Sequence, residues 1–246
     1  MAVAFLSLGL VTASAQFGGA GHQPGALNFN GAIGKLFGDN QAFTASLQFQ
    51  TTDPAGNEIT LPGKISFDTG KSRFEMNMAD VKGTKMPPNA IEQFKRMGMD
   101  SVVSVSCPDQ KAVYIIYPGM QSYVENPMTE PADNASADFK VETKELGKET
   151  VAGHECVKNQ VTVTGKDGQK HEFTVWNATD LNHFPVKLET LEQGRKGTMT
   201  FTDVSFKKPA ASAFEAPADY KKYTNMQEMM RAVMMKQMGR APGQPH

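Results

Sequence analysis

His154 and Cys156 stand at i and i+2, the spacing that puts two side chains on one face of a β-strand, so an imidazole and a thiolate could share a metal ion there. His171 and His183 could supply third and fourth ligands. No Cys-x-x-Cys or His-x-x-x-His spacing supports such a set, and the remaining histidines are scattered. For nucleophilic catalysis the chain has no Gly-x-Ser-x-Gly elbow, and for phosphate binding no Gly-x-x-x-x-Gly-Lys loop. Glu142 and Glu145 fall in a charged, strand-like stretch, where solvated surface charge is the plain reading. The expectation is a protein with no catalytic residue, metal or cofactor, and hence no enzyme.

The two cysteines have a simpler use. Residues 2–11 form a short apolar run, followed by Ala13-Ser14-Ala15, the small-x-small pattern that signal peptidase accepts. A signal peptide over 1–15 is expected, and with it a periplasmic or secreted protein. No Lys or Arg precedes the run, which leaves open a start upstream of Met1. In an oxidising compartment an even cysteine count reads as one disulfide, Cys107 to Cys156. Closing that loop would contribute about 4 kcal/mol on the chain-entropy model.

The rest of the composition narrows the classes. With 246 residues, 39% of them hydrophobic, the chain can bury a sizeable core. A formal net charge of −1 gives no electrostatic reason to bind nucleic acid. No apolar run reaches the roughly 20 residues of a membrane-spanning helix, so an integral helical membrane protein is not expected.

Residues 16–40 are rich in Gly, which is costly to order, and read as a flexible leader with a short helix near Ala32 to Phe37. From Gln41 period-2 alternation takes over. Phe43, Ala45, Leu47 and Phe49 alternate with polar residues, as do Ile65 with Phe67 and Phe74 with Met76, joined by a turn at Asp68-Thr69-Gly70-Lys71. Further segments run from Val102, Val113, Val161, Phe173, Val186 and Met199. Nine or ten strands follow, in a single antiparallel β domain over 41–223 with few helices. So wide a sheet must bend strongly or curl into an open barrel, and one or two helices must help cover it.

Two helices are legible. One runs from Pro87 to Met97, with Ile91, Phe94 and Met97 at helical spacing. The other, over 224–238, carries Met226, Met229, Met230, Val233, Met234 and Met238 along one stripe. Three uses stay open for it: docking on the protein's own sheet, binding a variable hydrophobic partner, or holding Cu(I) through thioethers. Residues 239–246 read as a disordered tail.

The C-terminal half also carries Gly153-His154-Glu155-Cys156, Thr174-Val175-Trp176-Asn177-Ala178-Thr179-Asp180, Phe184-Pro185-Val186-Lys187-Leu188-Glu189 and Phe214-Glu215-Ala216-Pro217-Ala218-Asp219-Tyr220. Their order resembles the bacterial exported family known as domain of unknown function 4412, well over 140–223 and by strand pattern before it. That family in turn resembles the lipoprotein-carrier fold. The resemblance implies an incomplete antiparallel barrel wrapped around helices, with an apolar concave face.

Together these readings lead to an exported binding protein for a hydrophobic ligand, a lipid or acylated chain, held in the concavity of the bent sheet. The expected wall is Phe43, Leu47, Phe49, Phe67, Phe74, Met76, Val163, Phe173, Val175, Trp176, Met199 and Phe201. The Met-rich helix would be a lid or a docking element for another envelope protein. Periplasmic soft-metal binding is the third reading.

Overall fold

The computed structural model describes residues 31–52, 56–83, 88–128, 139–165, 168–192 and 195–238. The expected signal peptide, the leader before residue 31 and the tail after 238 lie outside the described residues. One antiparallel meander comprises β1 (Ala42–Thr52), β2 (Glu58–Asp68), β3 (Lys71–Asn77), β4 (Ser101–Cys107), β5 (Ala112–Tyr117) and β6 (Ser122–Pro127). A second comprises β7 (Lys140–Val151), β8 (His154–Thr164), β9 (Lys170–Ala178), β10 (Pro185–Glu192) and β11 (Arg195–Ser205). β11 returns to pair with β1, joining the halves into a twelve-stranded sheet. The short β12 (Lys221–Tyr223) completes it at the far edge, parallel to β6.

The sheet stays open, with β12 and β7 at its two edges. It cannot be flat. Ten strand spacings separate β6 from β7, about 48 Å if planar. The chain from Pro127 to Lys140 reaches roughly 45 Å when fully stretched, so the sheet must curl to bring the two strands within its span.

Pairing registers sort the side chains into two faces, because paired residues point the same way. On the inner face Phe43 pairs with Phe67, Ala45 with Ile65, and Ile65 with Phe74. In the other direction Phe49 pairs with Met199, Met199 with Leu188, and Leu188 with Val175. All of these are buried. The core begins earlier than the expected boundary at Gln41. The short α1 (Ala32–Lys35) leads into Leu36 and Phe37, and the Phe37 ring lies 4.7 Å from Phe43 and 5.2 Å from Phe67. Residues 31–40 are therefore part of the folded body, because an aromatic ring among four others buries more apolar area than ordering this short segment costs.

After β11 the chain must cross the outer face of the sheet to reach β12. Phe214 is buried there against Val103, Val105 and Ile116. Arg73 donates from Nη1 to the Ala213 carbonyl at 3.1 Å and from Nε to Glu75, tying the crossing segment to β3. Past β12 the chain turns onto the inner face as α3 (Met226–Met238). Asn225 caps it, its Oδ1 accepting from the Glu228 amide at 2.8 Å, while Glu228 reaches back to the Thr224 amide.

The other helix, α2 (Pro88–Met97), ends in a Schellman turn. The Met99 amide donates to Phe94 and the Gly98 amide to Lys95, with Gly98 at φ +71. Gly98 lies backbone to backbone against Gly119, where a Cβ would sit 2.6 Å from the Gly119 carbonyl carbon. Only glycine fits both the dihedral and the contact.

The expected Cys107–Cys156 disulfide does not form. Both are free, buried thiols, one on β4 and one on β8, with six strands between them. The Cys107 Sγ donates to the Phe214 carbonyl at 3.0 Å, and burial pushes its pKa up to about 11. Burial raises Cys156 as well. Iodoacetamide at neutral pH should therefore label neither cysteine in the native chain and both in denaturant. Intact-mass spectrometry checks this, and labelling of either thiol in the folded protein would contradict it.

Candidate functional site

The inner face is the feature most able to bind something. Of the expected wall residues, Phe43, Leu47, Phe49, Phe67, Phe74, Val163, Phe173, Val175, Met199 and Phe201 are all buried on this face, with Met76 half-buried beside them. At one end it is closed by rings: Phe184 lies 4.8 Å from Phe43 and 5.7 Å from Phe201, with Phe37 against all three. Phe74 lies over Gly63, where a Cβ would meet its ring at 2.5 Å. That glycine lets an aromatic side chain lie flat on the sheet instead of standing up from it.

Trp176 is not part of this wall. It pairs with Lys158 and Lys187, whereas its neighbour Val175 pairs with Leu188, so the indole lies on the outer face. There it is buried by cations. The Lys187 and Lys158 ammonium groups stand 4.2 Å and 4.9 Å from its ring centroid, and Nε1 donates to Glu149 at 2.9 Å. The bonds from Trp176 and Lys158 hold the Glu149 carboxyl below its ordinary range. Because the folded pKa is lowered, the contact is complete at neutral pH and is lost as pH falls through that lowered value. Trp176 is the only tryptophan, so its emission should hold steady through the ordinary carboxylate range and shift only in more acid solution. Glu149→Gln, which keeps an acceptor but cannot titrate, should abolish that shift; an unchanged acid step in the variant would contradict the assignment.

Over β5 and β6 the inner face is covered by the two helices. Ile115, Tyr117, Val124, Tyr223 and Met229 form one buried cluster, with Phe94 and Met97 of α2 and Met226 and Met230 of α3 packed on it. The Tyr117 hydroxyl reaches the Met226 sulfur at 3.9 Å. The Met-rich stripe thus splits: Met229 is fully buried, Met226, Met230 and Val233 are half-buried, and Met234 is 57% exposed. Met238 lies in the helix, with its side chain outside the described residues. Four thioethers converging on one Cu(I) would have to draw Met229 out of this cluster.

The histidines among the described residues do not assemble. His154 Nδ1 bonds Asp180 at 2.8 Å. His171 pairs with Val163, at the other end of β8 and roughly 30 Å from His154. His183 sits in the β9–β10 turn, where its carbonyl accepts from Asn177. Among the described residues no group of three His, Cys, Asp or Glu side chains could hold a metal ion. Glu142 is paired with Lys140 on the exposed edge strand, away from the inner face.

The short motifs of the C-terminal half have a different use. Thr179 donates through its amide and its Oγ1 to the Glu155 carbonyl, and Asn159 to Asn177 Oδ1 at 3.0 Å. Together with His154 and Asp180 they tie the β7–β8 turn to the β9–β10 turn, below the buried Phe184. This is scaffolding of one end of the sheet.

A family model described as a domain of unknown function, DUF4412, matches residues 43–183. It takes in the first half, where the resemblance rested on strand pattern alone, and stops short of Phe214–Tyr220 and α3. The similar solved structures include the following three. A LolA superfamily protein from Nitrosomonas europaea is 10% identical with a TM-score of 0.37, over 74% of this chain and 93% of its own. LprF from Mycobacterium bovis is 12% identical with a TM-score of 0.40, over 74% and 91%. The Pseudomonas aeruginosa MucA/MucB complex gives 15% and 0.38, over 78% and 62%. No curated protein sequence matches.

Proposed function

This chain belongs to the DUF4412 family, and for this member we propose a non-enzymatic role as an exported binding protein that holds a hydrophobic ligand, a lipid or acylated chain, against the inner face of its sheet. One observation carries the reading: the inner face of a curled sheet that does not close carries two large apolar clusters, one over β1–β3 and β8–β11 and one over β5 and β6. Short helices, and not a second sheet, cover parts of that face, and the unclosed edges leave a route for an apolar molecule.

The helices fit the same reading. α3 lies on the inner face over β5 and β6, held by Met side chains whose flexible thioethers repack at low cost. It is placed to act as a lid. The periplasmic or secreted location belongs to the proposal, and the Ala13-Ser14-Ala15 pattern supports it.

Titration with the neutral apolar dye N-phenyl-1-naphthylamine tests the reading. Saturable emission enhancement at about one dye per chain is expected, with Phe49→Asp or Met199→Asp abolishing it. A linear, unsaturable response from the folded chain would refute it.

A further inference from the structure

Between the two apolar clusters of the inner face runs a short polar seam. Ser72 on β3 pairs with Phe67 and with Ser106; Ser104 on β4 pairs with Phe74 and with Ile115. Those registers put both serines on the inner face, with Phe67 and Phe74 of one cluster on one side and Ile115 of the other cluster on the other. Ser72 is 2% exposed and Ser104 4%. Neither hydroxyl has a hydrogen-bond partner among the described residues. A buried hydroxyl without a partner is destabilising, and alanine would fill these positions without that cost.

We propose that Ser72 and Ser104 donate hydrogen bonds to a neutral carbonyl oxygen, the ester or amide linkage of an acylated ligand whose apolar arms lie on the clusters either side. This rests on the hydrophobic-ligand reading above and narrows it. The chemistry selects the class. Both hydroxyls are donors held within an apolar surface, so the ligand brings an acceptor with it. The inner-face residues paired with the seam are Phe67, Phe74, Ile115 and, through Ser106, Val113; none is cationic. A carboxylate would lie there without a counter-charge, whereas an ester or amide carries no charge to desolvate. A pure hydrocarbon would leave the hydroxyls as they are.

The test uses the full chain with N-phenyl-1-naphthylamine bound, displaced in turn by methyl laurate, tridecane and laurate. The readout is the ester-to-tridecane affinity ratio in the wild type divided by that ratio in Ser72→Ala/Ser104→Ala, which cancels differences in solubility. That quotient is expected near tenfold, the worth of one to two hydrogen bonds, with tridecane binding unchanged and laurate weaker than the ester. Each single variant is measured too, so that a folding defect in the pair does not end the test. A quotient near one, as a seam holding only ordered water would give, overturns the proposal and leaves the hydrophobic-ligand reading standing; so does laurate outcompeting the ester. Failure of the dye and all three competitors to bind the wild type overturns both.

Discussion

Met229→Asp is expected to lower the melting temperature by about ten degrees, while Met234→Asp, further along α3, leaves it nearly unchanged. Met229 is fully buried against Ile115, Tyr117 and Val124, and Met234 is 57% exposed. A carboxylate cannot stay ionised in that cluster without a partner, so the helix must leave the sheet. The cost is then what docking contributes, about 3–5 kcal/mol for a buried methionine together with its half-buried neighbours Met226 and Met230. An exposed substitution is worth within about 0.5 kcal/mol. Thermal unfolding followed by circular dichroism checks both. Equal, small effects would free the whole stripe for another protein, the docking role the sequence left open.

Phe37→Ala should cost about 3–5 kcal/mol, as much as losing a ring from the centre of a strand. Phe37 stands outside the strands, after a four-residue helix in a glycine-rich stretch, yet it is 1% exposed and touches Phe43, Phe67, Phe184 and Phe201. The small α1 also contacts β8, so one short segment closes the end of the curl from β2 round to β8. Denaturant unfolding measures the loss. An effect below about 1 kcal/mol would return residues 31–40 to the status of a leader.

These two residues also mark what the sequence can and cannot convey. Alternation located β1 to β3 and β8 to β11, which have one wetter and one drier face, and valine- and isoleucine-rich runs located β4 and β5, which are buried on both; β6 was passed over. Alternation also passed over β7, whose Lys and Glu side chains face solvent on both sides as befits an edge strand, and over β12, too short for any period. The pairing of β1 with β11 is not local and leaves no pattern. The disulfide expectation failed for that reason: cysteine parity says nothing about distance, and strand order is what separates Cys107 from Cys156. Trp176 misled because it adjoins Val175, and two apolar neighbours on a strand cannot share a face; the lysines that bury it come from two other strands. Ser72 and Ser104 were invisible as site residues, since a serine between Lys71 and Arg73, or alternating with Val103 and Val105, reads as solvated until the register places it opposite Phe67 or Phe74.

The central claim, that the inner face carries a hydrophobic ligand, is met most directly by native mass spectrometry of the chain exported to a periplasm and purified without detergent, followed by organic extraction. The account predicts a population heavier than the bare chain by one lipid or acyl species, released into the solvent, with the protein itself carrying both cysteines reduced. A single bare mass, with nothing in the extract and no dye binding by the same sample, would contradict it.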